Sequence, residues 1–310
     1  MKISLLKYTI GLLVSLSLFS CEKKVDVVEA PQIDAYLQSV PELSMFSKAL
    51  DKAGLESFKK GPGPFTWFAP SNAAFAAAMI SEDSLNKMTP GQVNYLLVYH
   101  LANTGLFSEN MVAINSSPRN SQLGSGAGQF YIGSHNNENY INGSKIISRD
   151  NKISNGYIHI INRLNVPPVL RGNIQRILTE SGQHTLFIQA LTRAGLWTGF
   201  GGVAANTVFA PTDAAMTAAG YTITSITAAP VATISTAMRY HYILNLRLFR
   251  NDLFRTSLPA TAAGPSSTLT PSDNGTKIKG KNNSTPANIV RPDILGTNGV
   301  VHIIDAVLLR

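Results

Sequence analysis

"TWFAPSNAAF" occupies residues 66–75, and "TVFAPTDAAM" at 207–216 writes nearly the same phrase 141 residues later. The phrase holds no nucleophile–base pair, no metal-ligand spacing and no phosphate loop, so its repetition is the clue rather than its chemistry. The offset extends outward. "FSKALDKAGL" (46–55) matches "FIQALTRAGL" (187–196), and "VYHLAN" (98–103) matches "RYHYIL" (239–244), setting His100 against His241. Near the end of each copy, "NGYIHIINRL" (155–164) matches "NGVVHIIDAV" (298–307) at an offset of 143, setting His159 against His302. The second copy therefore gains two net residues in its middle.

A period this long, present twice, means a duplicated domain and not a solenoid of short mutually dependent repeats. The 310-residue length agrees with two domains. The boundary falls at "VPPVLRG" (166–172), where paired prolines exclude a continuing helix or a central strand. Within copy one, Phe46, Ala49, Leu50 and Ala53 recur at helical spacing and stop at Gly54, a C-cap. "FTWFAP" is a short β-prone run closed by Pro70, as Pro211 closes its counterpart. Ser71 or Asn72 (Thr212 or Asp213 in copy two) offers an N-cap for an alanine-rich helix. Thr89 caps a further helix with Pro90 at its first position, and Val93, Leu96, Leu97 and His100 form its apolar stripe. The back half of each copy has a different pattern. There "QFYIG", "NYINGSKIIS" and "YIHIINRL" are short β-prone segments with Asn-Gly turns. Helices first and strands afterwards predict an α+β class.

Thr66-x-Phe-Ala-Pro70-Ser-Asn-Ala-Ala, then Tyr-His, then Asn-Gly-x-x-His-x-Ile-Asn resembles the fasciclin domain, and Thr207, Pro211, His241 and His302 repeat the pattern in copy two. Met216 stands where the first motif usually ends in an aromatic, and Tyr157-Ile158 where valines are commoner; both are apolar and volume-tolerant. The resemblance implies two tandem domains, each a two-sheet β-wedge with helices packed beside it, over 33–168 and 169–310. It also implies an extracellular or membrane-anchored setting and a non-enzymatic role in cell adhesion or matrix binding, with no cofactor.

The first residues read differently. "MKISLLKYTIGLLVSLSLFSC" places Lys2 and Lys7 before an apolar stretch and then Ser20-Cys21, the pattern of an export signal. Its apolar run is too short for a convincing membrane span. "LFSC" (18–21) resembles a bacterial lipobox, which implies that residues 1–20 are a signal peptide. Cys21, the one cysteine of the chain, would be the lipid-attachment residue, and 21–32 a polar tether. An incidental cysteine is the alternative. With no disulfide to form, stability must come from ordinary cores.

Hydrophobic residues make up 44% of the chain and charged ones only 14%, which excludes a charge-driven disordered chain. None of the six histidines (100, 135, 159, 184, 241 and 302) stands at HxH or HExxH spacing, so no metal site is suggested. His100 lies on an apolar helical face, which favours a core ring bonded to backbone; the resemblance links the Tyr-His region to integrin adhesion in animal relatives. No Gly-x-Ser-x-Gly elbow is present, and "GSGAGQ" (124–129) is read as a loop. No catalytic residue is indicated.

Two stretches remain as ligand-contact candidates. Asp293-Ile294, in "RPDIL" (291–295), sits where animal relatives carry an Asp-Ile integrin motif, and Asp150 is its counterpart without the isoleucine. The residue-level alternative is an aspartate stabilising the turn before "GTNG". Charge is also uneven: residues 33–168 carry 10 basic and 9 acidic side chains, residues 170–310 carry 12 and 6. Part of that excess clusters as Arg247, Arg250 and Arg255 in "RLFRNDLFR" and as "KIKGK" (277–281). A basic surface suits acidic polysaccharide or lipid headgroups, and an exported protein is not expected to meet nucleic acid. The expected partners are thus matrix, glycan or a cell-surface protein, with the membrane reached through lipid. A solvated face, or an enzyme acting on envelope polymers, are the rival readings.

Overall fold

The computed structural model describes residues 29–112, 116–254 and 258–310, and of Ala127 only the backbone. Cys21 and Arg255 lie outside the described residues. In the first copy, helices at Ile33–Ser39, Ser44–Ala53 and Glu56–Lys60 precede strand β1 (Phe65–Pro70), and Asn72–Ala77, Glu82–Lys87 and Pro90–Val98 follow it. Next come β2 (Leu101–Ala102), β3 (Ser117–Ser121), β4 (Gly124–His135), β5 (Glu138–Ile141), β6 (Ser144–Ile153) and β7 (Gly156–Ile161). The second copy repeats the plan with β8 (Asn206–Pro211), β9 (Tyr242–Ile243), β10 (Thr270–Ser272), β11 (Lys277–Lys279), β12 (Ala287–Gly296) and β13 (Gly299–Ile304).

Sheet order is β2-β1-β7-β6-β5-β4-β3 in one domain and β10-β11-β12-β13-β8-β9 in the other. The two halves of each wedge share one long strand. In β6, Ser144 and Lys145 pair with β5 while Ile146–Ile153 pairs with β7. In β12, Ala287 and Asn288 pair with β11 while Ile289–Gly296 pairs with β13. Both shared strands bulge midway, which bends the sheet at that point.

The repeated phrases meet in space. β1 lies parallel to β7 with Phe68 opposite His159, and β8 lies parallel to β13 with Phe209 opposite His302. A parallel central strand is covered on both faces, which explains its unbroken apolar run. Trp67 enters a core with Phe46, Phe75 and Leu97, whereas Phe68 enters another with Tyr99, Phe130 and Ile161.

Local chemistry sets the element ends. Ser71 and Thr212 accept the N–H three residues on, so each is the N-cap. Asn72 and Asp213 serve instead as ties, accepting from the N–H of Met45 and Leu186 at the start of an earlier helix. Thr89 forms a reciprocal capping box with Gln92, and Gly54 closes its helix at φ +66°. The paired prolines do not merely break structure: Pro168 opens a short helical turn, Pro168–Arg171. "GSGAGQ" is not a loop but the start of β4. The ladder passes from Asn120–Gln129 to Ser121–Gly124, so residues 125–128 stand outside the pairing, with Gly124 and Gly126 at positive φ.

Candidate functional site at the domain joint

The motif threonines and histidines each hold a neighbouring segment in place. The buried hydroxyl of Thr66 donates to Thr104 O at 2.7 Å and accepts from Leu106 N at 2.8 Å; Thr207 does the same to Leu246 O and Leu248 N. Pro70 and Pro211 end their strands opposite Ile161 and Ile304, and the carbonyl of Pro211 accepts from His184 Nδ1.

The four paired histidines are all buried with both ring nitrogens engaged. His100 and His241 donate from Nδ1 to Leu96 O and Ala237 O, and accept at Nε2 from Asn165 N and Leu308 N. His159 and His302 use the opposite tautomer. They donate from Nε2 to Leu106 O and Leu248 O, and accept at Nδ1 from Asp150 N and Asp293 N. Protonation would destroy the accepting nitrogen in every case. Burial holds His100 and His241 down at about 4, outweighing the helical carbonyl that favours the charged ring, and burial lowers His159 and His302 as well. These rings are struts within the core, shielded from any ligand.

Asp150 and Asp293 occupy the same bulge in their two domains, both with φ near +60°. Asp150 accepts from the N–H and hydroxyl of Ser108, at the start of the turn Ser108–Asn110. Asp293 accepts from the N–H of Arg250, at the start of the turn Arg250–Phe254. The turn that Asp293 stabilises is therefore this one, 43 residues upstream, and not the "GTNG" turn. Its other carboxylate oxygen accepts from Arg163 of the first domain at 2.7 Å. With a side-chain exposure of 0%, the Asp293 carboxylate faces that guanidinium and not solvent. The adjoining Ile294 is also buried. As placed, Asp293 belongs to the joint between the domains and Ile294 to the core of the second domain.

The same correction applies to the basic cluster. Residues 250–254 rest on the first domain, where Asp252 accepts from Ser116 N and Oγ at 3.1 and 2.8 Å. Phe254 meets His135 in a tilted ring contact with centroids 4.4 Å apart, and Phe249 meets Tyr131 at 5.5 Å. Arg247 lies over the Tyr131 ring and donates to Thr297 O. Arg250 is half-buried and lines an interdomain cleft of about 630 Å³ with Glu138, Lys145 and Arg163. Arg247 and Arg250 thus form part of the joint and not a free cationic face. Sequence reasoning missed Arg163 because its partner is 130 residues away.

Glycine permits the close approach. A side chain at Gly143 would meet the Asp293 carboxylate at 2.4 Å, and one at Gly133 would meet Asn251 Nδ2 at 2.3 Å. Among the described residues, no three His, Cys, Asp or Glu side chains are grouped to hold a metal ion. No helix among them is long and apolar enough to cross a membrane.

The fasciclin domain family matches residues 41–167 and again residues 182–310. The chain belongs to the fasciclin family and carries two such domains in tandem. It is 27% identical over 263 residues to transforming growth factor-beta-induced protein ig-h3 of Sus scrofa and 28% identical over 267 residues to the same protein of Oryctolagus cuniculus. Each match covers 81% of this chain, which spans about a third (35%) of the relatives' length. The FAS1 domain pair of the insect cell adhesion molecule fasciclin I aligns over 87% of this chain and 97% of that one, at 18% identity and a TM-score of 0.42. The fold assignment rests on the two matched segments. Fasciclin domains are associated with cell adhesion and extracellular-matrix interaction.

Proposed function

We propose that this chain is a non-enzymatic adhesion protein of the bacterial cell envelope, lipid-anchored through Cys21 to the outer membrane and binding matrix or cell-surface partners. The observation that carries this reading is the pair of fasciclin domains over 41–167 and 182–310. The relatives' extracellular setting and the export-type opening sequence support it. Two docked modules on one tether act as a bivalent unit, and avidity rises when both engage.

The test is attachment of the parent cells. Soluble chain lacking residues 1–21 is expected to compete with the cells for their surface, and deletion of the gene to reduce attachment. No effect of either manipulation defeats the reading. Protease treatment of intact against lysed cells decides its location: cleavage only after lysis would move the role to the periplasm. An acidic polysaccharide is a second reading, favoured by the excess of basic residues in the second domain.

A further inference from the structure

The joint leaves a second opening, on the side away from Phe254. It is a cleft of about 330 Å³ into which Arg163, Arg171 and Arg291 all face, with Met79 and Val290 exposed on its rim. Three guanidinium groups share one lining carboxylate, Asp293, and that group already serves Arg163 and the Arg250 N–H. Arg163 is further occupied by Asn142 O. Arg171 and Arg291 have no hydrogen-bond or ion-pair partner among the described residues. Burial first, then repulsion from Arg291 and Arg163, lowers Arg171 to about 10, so the charges crowd one another.

An independent feature points the same way. Asn165 lines this cleft, is 6% exposed, and accepts from Ser144 through Oδ1, yet its amide Nδ2 has no acceptor. A buried donor without a partner is costly, and one beside uncompensated arginines marks a place where acceptor oxygens are missing. Arg171 and Arg291 also border an adjoining opening of about 240 Å³ lined by Leu170, Ile177 and Ile294, and by Glu180, whose carboxylate is paired with Arg176. The two arginines therefore stand on a divide between neighbouring hollows, each of the size of a sugar unit and too small for a folded partner.

We infer that this cleft is an oxyanion site, in which Arg171 and Arg291, beside the unpartnered Asn165 amide, hold a sulfate or carboxylate group of an acidic polysaccharide running across both hollows. Guanidinium forks match such groups with paired N–H donors. The site deepens the polysaccharide reading above and rests on it for the choice of polymer; the anion chemistry stands apart from it.

The probes are sodium sulfate against sodium chloride at equal ionic strength, and dextran sulfate against dextran, each with the whole chain. Sulfate is expected to raise the melting temperature, and dextran sulfate to bind with an affinity that falls as salt rises. Arg171→Gln/Arg291→Gln should weaken dextran sulfate at least tenfold and abolish the sulfate effect. Lys277→Gln/Lys279→Gln removes the same charge elsewhere and should change binding less than twofold. Should the first pair fail to fold, Arg291→Gln alone, at an exposed side chain, should still weaken binding severalfold. Equal losses in both pairs would mean diffuse charge attraction and overturn the site. Full binding by the arginine variants would overturn it too, leaving the adhesion reading untouched. Sulfate stabilisation that depends on the arginines, without any dextran sulfate binding, would overturn the polysaccharide.

Discussion

Asp150 and Asp293 are the same residue twice, and they do different work. Both sit in the bulge of a shared strand, both offer their backbone N–H to a buried histidine, and both cap a short helical turn. Only Asp293 also reaches across to Arg163. The difference arises outside the aspartates: the turn Asp293 caps, Arg250–Phe254, lies against the first domain, whereas Ser108–Asn110 lines an open hollow beside Asn137 and Arg149. Duplication supplied two equivalent pieces of scaffold, and docking recruited one of them.

The comparison is broken most directly by Asp293→Ala against Asp150→Ala. Removing Asp293 leaves Arg163 without its ion pair and is expected to cost about 3 kcal/mol. Removing Asp150 costs only a turn cap, about 1–2 kcal/mol. Backbone strain at positive φ is common to both variants and cancels. In an Arg163→Gln background the gap between them should close, as measured by urea unfolding in a double-mutant cycle.

Acid tests the half of the comparison in which the domains agree. His100 and His241 fold neutral, at about 4 against an ordinary value near 6.5, so the stabilisation is complete above pH ~6.5 and is lost as pH falls toward 4. The loss is on the order of 3 kcal/mol in each domain. Histidine-to-glutamine variants should flatten that dependence on a lower baseline; melting curves between pH 4 and 7.5 check both.

Gly133→Ala disturbs the joint without touching either aspartate. Its new methyl group presses on Asn251 and Ser116, and overpacking of this kind costs about 1–3 kcal/mol. Small-angle scattering should show the domain pair loosening while circular dichroism is unchanged. The smallest effect is expected from Thr89→Ala, about 1 kcal/mol and confined to the first domain, because Pro230 at the matching position of the second makes no side-chain cap.

Much of each domain was legible in the sequence because its cues are local or repeated. Ser71, Thr89, Gly54 and the Asn142-Gly143 turn announce themselves within four residues, and the apolar helical face of His100 pointed to a core role. The tautomer of His100 is selected by a carbonyl four residues back, at Leu96, but that of His159 was not legible, since the Leu106 carbonyl that selects it arrives from 53 residues away. The joint was hidden for a related reason. Arg163, Asp293, Ser116 and Asp252 meet through docking, and "RLFRNDLFR" reads as a solvent-facing basic run until the first domain is laid on it. The glycine-rich 124–129 misled because glycine signals loops and bulged strands alike.

Parallel pairing of β1 with β7, and of β8 with β13, also sets an order of events during synthesis. β1 is flanked by only the two-residue β2 until residues 156–161 have been made, so the apolar side chains of "FTWFAP" wait some ninety residues for their long neighbour. For β8 the wait lasts until residues 299–304. A nascent chain paused between these points holds a finished first domain and an open second one, and removal of residues 299–310 would leave the second domain unable to close at all.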